Sequence, residues 1–273
     1  MSEKWHRIFS RKRVCCRKGR VCMTQSIIRF EHVTKKYGEK VILNDFCMNV
    51  QKGEFITIIG SSGCGKTTVL KMVNGLKTPT DGQVFVWEKD VSQMDPIALR
   101  RKIGYVIQGT GLFPHMNIFR NIAYVPNLIG KQDKEDLQKL VERLIETVGL
   151  EKDMLSRYPS ELSGGQCQRV GIARALAATP DIMLMDEPFG AVDEITRKML
   201  QNEILRIYRD LGMTILFVTH DIQEALKLGT RVLVMDKGKL LQFGTPQEIT
   251  EKPNTEFVRR LVCEYNNSEN VAF

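Results

Sequence analysis

The residues from Gly60 to Thr68 carry the most specific chemistry in this chain. They read Gly60, Ser61, Ser62, Gly63, Cys64, Gly65, Lys66, Thr67, Thr68 and fit the pattern G-x-x-x-x-G-K-[ST]. Glycines let the backbone curl until successive N–H groups converge on one anion. A helix starting here adds the positive end of its dipole. Lys66 has the reach and charge for the β- and γ-phosphates of ATP, and the Thr67 hydroxyl suits Mg²⁺. A glycine-rich turn that merely capped a helix would leave Lys66 unexplained.

Three other places can complete a phosphoryl-transfer site. The apolar run Ile182 to Met185 ends in Asp186 and Glu187. An acid at a buried strand end is costly unless a cation or hydrogen bonds compensate it. Asp186 therefore suits a Mg²⁺ partner, directly or through water, and Glu187 suits the general base that polarises an attacking water. His220 closes a second apolar run, where it can donate to a γ-phosphate or position Glu187 and the water. Gln108 closes a third, Ile103 to Ile107, and its neutral amide can contact Mg²⁺ or water. Far from the first loop lies Leu162, Ser163, Gly164, Gly165, Gln166. Ser163 can cap a helix there, and the glycines keep N–H groups open to an anion. Residue chemistry alone leaves open an anion site or a plain capped helix.

These side chains need a frame. Phe55 to Ile59 is a short apolar run ending in glycine, as in a fully buried parallel strand, and a helix is predicted from Lys66 to Asn74 with Gly75 as its stop. Residues 181–186 and 214–219 read as further buried strands. Residues 27–33, 41–50 and 83–88 read as strands of an antiparallel region, with a turn at Lys36 to Glu39. Leu137, Leu140, Val141, Leu144, Ile145 and Val148 recur at helical spacing before Gly149. So do Met199, Leu200, Ile204, Ile207 and Leu211 before Gly212. Residues 231–243 read as a hairpin turning at Asp236, Lys237 and Gly238. The alternation predicts an α/β core, interrupted by a helical subdomain over about 109–165.

In this order and spacing the motifs resemble those of the ABC (ATP-binding cassette) ATPases, whose signature is LSGGQ. The resemblance covers residues 27–262. It implies an α/β P-loop NTPase fold: a RecA-like core, an antiparallel β subdomain and an α-helical subdomain. It implies that Tyr37 stacks on adenine, that Gln108 is a Q-loop, that Ala191, Val192 and Asp193 form a D-loop, and that His220 is a switch histidine. It further implies that two copies pair head to tail, with Ser163, Gly164, Gly165 and Gln166 of one completing the ATP site of the other. Transmembrane permease subunits would dock near Gly111 to Met116, a stretch that equally suits subdomain core, on the cytoplasmic face of a membrane. An extracytoplasmic substrate-binding protein would act indirectly. The stretches 107–115, 157–165, 186–197 and 224–229 are similar to ATPases that import glycine betaine, carnitine or choline. Rival readings are an importer of amino acids or a sulfonate, a soluble ABC ATPase acting on nucleic acid, and a non-catalytic regulator. No specific nucleic acid is expected. Cys167 and Val192 replace residues common in the family, a Gln and a Leu. With the sequence ending at Phe273, regulation through the tandem modules that many such ATPases carry is not expected.

Bulk composition adds limits. The 273 residues carry a formal charge of +8, yet eight cations against Glu3 in residues 1–23 supply +7 of it. The basic balance belongs to residues 1–23, expected to be a solvated, disordered extension or, alternatively, a segment that touches anionic lipid or nucleic acid. Met23 is a second possible start. Residues 24–263 are expected to form the cassette and 264–273 a tail. No apolar stretch approaches the ~18–20 residues of a membrane-spanning helix. Of seven cysteines, Cys15, Cys16 and Cys22 cluster without the second ligand pair of a zinc site.

Overall fold

A computed structural model describes residues 26–109, 111–130 and 133–269, with side chains described through Cys263. The basic segment 1–23 and Cys15, Cys16 and Cys22 lie outside the described residues, as do residues 270–273 of the expected tail.

Two sheets carry the molecule. The strands are β1 Ser26–Tyr37, β2 Lys40–Gln51, β3 Phe55–Gly60, β4 Asp81–Val86, β5 Lys89–Asp90, β6 Ile103–Val106, β7 Ile182–Asp186, β8 Thr214–Val218, β9 Arg231–Asp236 and β10 Lys239–Gly244. The larger sheet runs β10-β9-β3-β8-β7-β6, parallel except for the β9–β10 hairpin. β7 and β8 are buried at every residue, because helices cover both faces of a parallel sheet. The smaller sheet, β2-β1-β4-β5, is antiparallel. β2 alternates there, burying Phe46, Met48 and Val50 and exposing Asp45, Cys47 and Asn49.

The helices are α1 Lys66–Val73, α2 Pro96–Arg101, α3 Ile118–Ile129, α4 Lys134–Thr147, α5 Gly164–Ala177, α6 Glu194–Leu211, α7 Ile222–Leu228, α8 Pro246–Glu251 and α9 Glu256–Glu269. Asp193 caps α6 through a hydrogen bond from the Thr196 N–H, and Gly212 ends it in a left-handed conformation. In α4, Leu140, Val141, Leu144 and Ile145 are buried against Ile118 and Ile122 of α3 and Val170 and Ile172 of α5. The helical layer thus extends past residue 165 to include α5. The same apolar cluster continues into Met183, Met185 and Phe217, joining that layer to the parallel sheet. A second cluster joins the two sheets through Phe30, Leu43, Ile58, Leu70 and Leu216.

Two local readings need correction. Tyr37 belongs to β1, and the turn is confined to Gly38 and Glu39. β4 ends at Val86, because Trp87 and Glu88 both take positive φ, 50° and 63°, in a tight turn to β5. Aromatic and apolar composition drew Trp87 into the strand.

Candidate functional site

The carboxyl ends of β3, β6, β7 and β8 converge, and the chemistry-bearing residues sit there. β3 feeds the loop that opens α1. Gly60 adopts φ 152°, and a Cβ there would lie 2.0 Å from the Met235 carbonyl oxygen of β9. Only glycine permits that approach. Gly65 caps α1 with φ 107° and no side-chain hydrogen bond. By helix geometry the first-turn N–H groups of α1 then face outward from the loop. Lys66 folds back and donates from Nζ to the carbonyl oxygens of Gly60 (2.8 Å) and Ser61 (2.9 Å). This closes the loop into a ring around its own ammonium.

A cavity of about 570 Å³ lies over this loop. Its walls include Tyr37, Gly60, Ser62, Gly63, Gly65, Lys66, Thr67, Thr68, Gln108, Glu187 and His220, with Lys40 and Ile42. Tyr37 is 45% exposed at the rim, and the ammonium groups of Lys35 and Lys77 lie 5.0 and 5.5 Å from its ring centre. Three residues expected in or beside the loop, Ser61, Cys64 and Asp186, do not line the cavity. Ser61 turns away to donate to Asp236 Oδ1 at 2.6 Å. Cys64 is buried beneath the loop, where burial pushes its thiol up, against the pull of the Lys66 charge. Asp186 stands behind Thr67, whose hydroxyl donates to Asp186 Oδ1 at 3.1 Å.

Asp186 is 2% exposed. Burial raises its carboxyl above the ordinary range; the Thr67 hydroxyl opposes that, the Glu187 charge adds to it, and Lys71 and Lys66 draw it down. The Thr67 hydroxyl, the Asp186 carboxylate and the Gln108 amide are hard oxygen donors, one of them anionic. That set fits Mg²⁺. Glu187 follows at φ 48°, an uncommon conformation for a non-glycine residue. Its N–H donates to the Val218 carbonyl at 3.0 Å, and its Oε2 accepts from Gln108 Nε2 at 3.3 Å. His220 Nδ1 lies 3.8 Å from the same oxygen.

Ser163, Gly165 and Gln166 are not brought to this cavity. Ser163 Oγ accepts from the Gln166 N–H (3.2 Å), and Gln166 Oε1 accepts from the Ser163 N–H (2.8 Å). Gly165 packs on Ala191, whose carbonyl oxygen would lie 2.9 Å from an added Cβ. Gly164 lines a neighbouring cavity of about 320 Å³, together with Gln108, Gln168, Glu187, Ala191 and His220.

Sequence reasoning missed Gln168. This buried amide on α5 donates to the Glu187 carbonyl at 3.1 Å and accepts from the Ala191 N–H at 2.9 Å. It fixes both ends of the turn after β7. A polar residue on the buried face of α5 was the available signal. A second buried network flanks His220: Glu224 accepts from Thr219 Oγ1 (2.6 Å) and from Gln201 Nε2 (2.9 Å). No helix among the described residues is long and apolar enough to cross a membrane.

Residues 43–190 match the family model described as ABC transporter. The chain is 52% identical to the carnitine transport ATP-binding protein OpuCA of Listeria monocytogenes serotype 1/2a (strain 10403S), over 86% of this chain and 59% of that protein. It thus spans about three fifths of that relative's length. It is 46% identical to the glycine betaine uptake system ATP-binding protein YehX of Escherichia coli (strain K12), over 86% of this chain and 76% of that one. Among solved structures, a post-hydrolysis dimer of the ATP-binding cassette MJ0796 bound to ADP and Pi superposes with a TM-score of 0.75. It is 32% identical and covers 81% of this chain and 99% of that one.

Proposed function

The chain belongs to the ABC transporter family, and on that premise we propose that it hydrolyses ATP to power import of a quaternary-amine osmoprotectant through separate membrane subunits. The observation that carries the ATPase reading is the convergence of Lys66, Thr67, Gln108, Glu187 and His220 on one cavity over a glycine-curled loop. The osmoprotectant reading rests on the carnitine and glycine betaine names of similar proteins.

In this reading the first-turn N–H groups of α1 and the Lys66 ammonium hold the phosphates, with Gly60, Ser61, Ser62, Gly63, Cys64, Gly65 and Thr68 forming the loop. Ser61 and Cys64 serve it through the backbone, because their side chains point elsewhere. Tyr37 stacks on the adenine. Thr67, Asp186 and Gln108 hold Mg²⁺, which when bound offsets phosphate charge. Asp186 is set behind Thr67 and acts from that second position. Glu187 orients and deprotonates the attacking water. Gln108 and His220 both reach its Oε2 and keep that oxygen aimed into the cavity.

The site is incomplete in one copy. Ser163, Gly164, Gly165 and Gln166 serve the ATP held by a second copy in a head-to-tail dimer. The pair docks on permease subunits at the cytoplasmic face of the membrane, fed by an extracytoplasmic binding protein. Residues 24–263 form the cassette. Purification from membranes with bound permease tests the reading. ATP turnover should rise several-fold with the binding protein plus glycine betaine, carnitine or choline. Turnover stimulated by DNA and indifferent to all three would overturn it.

A further inference from the structure

On the outer face of the small sheet, outside the nucleotide cavity, an imidazole, a carboxylate and a thiol gather. We propose that His32, Asp45 and Cys47 form a binding site for a transition-metal cation of the Zn²⁺ class. Their ligand atoms lie within 4.8 Å of one another, and all three residues are exposed. Asp45 and Cys47 lie two apart on β2 and are both exposed, Cys47 through the pleat and Asp45 at an irregular step where its backbone turns left-handed. His32 comes from the neighbouring strand β1, where the pairing is irregular between Phe30 and Val33. That irregularity turns His32 outward beside Val33, which stays buried.

The donor chemistry selects the ion. His32 Nδ1 and Asp45 Oδ1 already share a hydrogen bond of 2.7 Å, and the His32 N–H donates to Cys47 Sγ at 3.3 Å. A cation replacing the shared proton would sit about 2.0–2.2 Å from the nitrogen and oxygen and about 2.3 Å from the sulfur. Tetrahedral ligands at those lengths stand roughly 3.3–3.7 Å apart. The His32–Asp45 pair, at 2.7 Å, therefore opens by roughly half an ångström while the wider contacts close by about an ångström, which exposed rotamers achieve without moving the strands. An imidazole and a thiolate exclude Mg²⁺ and Ca²⁺, which take oxygen ligands. Both His32 (φ 49°) and Asp45 (φ 50°) hold left-handed backbone conformations that aim their side chains at each other. The fourth position would be open to water. The site does not depend on the nucleotide reading, because none of its residues lines that cavity.

Titration of the full chain with Co²⁺ as a spectroscopic stand-in, then with Zn²⁺, tests this. One equivalent of Co²⁺ should give a thiolate-to-cobalt charge-transfer band, and Zn²⁺ should displace it. Cys47→Ser should abolish the band, and His32→Ala should weaken Zn²⁺ binding at least tenfold, with circular dichroism and the melting curve unchanged. The triple variant Cys15→Ser, Cys16→Ser, Cys22→Ser should keep it. A band that survives Cys47→Ser, or is lost in the triple variant, would overturn the proposal, as would no band at all.

Discussion

The phosphate loop and the segment Leu162–Gln166 both place glycines at a helix start, and they treat the free N–H groups in opposite ways. At α1 the cap is Gly65, with no side-chain hydrogen bond, and the Lys66 ammonium is turned onto the loop's own carbonyls. At α5 the cap is Ser163, and it closes a reciprocal box with Gln166. The first terminus keeps its donors for an anion. The second satisfies part of its own helix and presents a small, glycine-lined surface. In the head-to-tail reading proposed above, the first terminus holds phosphates bound by its own chain and the second faces phosphates bound by another. Gln168 ties the two together, because it rises from α5 and grips the turn carrying Glu187.

Substitutions can break that contrast. Lys66→Ala should have the largest effect, about 10⁴-fold in kcat/KM for ATP, because it removes phosphate contacts in both ground and transition states. Steady-state kinetics and nucleotide titration check it. Glu187→Gln should lower turnover about 10³-fold and leave ATP affinity intact. Turnover near wild type would remove Glu187 from its role. Gly164→Asp should cut turnover about 10²-fold by setting a carboxylate against the partner's phosphates, with single-chain ATP affinity unchanged. A Cβ at Gly164 meets nothing within 4 Å, so the fold should tolerate it. Gln168→Met should lower kcat about tenfold with little change in KM, and Gln168→Glu should restore part of it by keeping the acceptor for the Ala191 N–H.

The smallest effect concerns stability. Burial raises the Asp186 carboxyl, so the folded chain holds that proton more tightly than the unfolded chain does. Its contribution is therefore most favourable at low pH and is lost as pH climbs from the unfolded value, about 3.9, through the raised folded value. Asp186→Asn should raise the melting temperature at neutral pH by about 2–4 °C for each kcal/mol of penalty removed. The gap between variant and parent should narrow as pH falls.

Much of this was legible in residue order. The phosphate loop, the acids after Met185 and the stops at Gly75, Gly149 and Gly212 are local signals, each set by neighbours a few residues away. The buried place of Gln168 was legible as a polar residue on an apolar helix face, but its role was not, because its partners Glu187 and Ala191 lie 19 and 23 residues further on. Nor was the inward turn of Ser61, whose partner Asp236 is 175 residues away. The packing of α5 on the helical layer was not legible for a related reason. α5 opens with the signature segment, and its Val170 and Ile172 pack with Ile118 of α3 and Leu144 of α4, residues that lie tens of positions earlier in the chain.

The sharpest test of the composite site mixes two dead chains. Lys66→Ala lacks the phosphate grip, and Gly164→Asp spoils the surface offered to a partner. In a head-to-tail pair of one of each, one site carries both lesions and the other carries neither. Random pairing of equal amounts should therefore restore about a quarter of the wild-type sites. ATP turnover that rises well above either variant alone, in proportion to mixing, is the predicted result. Turnover that stays at the level of the separate variants would contradict a site shared between Lys66 of one copy and Gly164 of another.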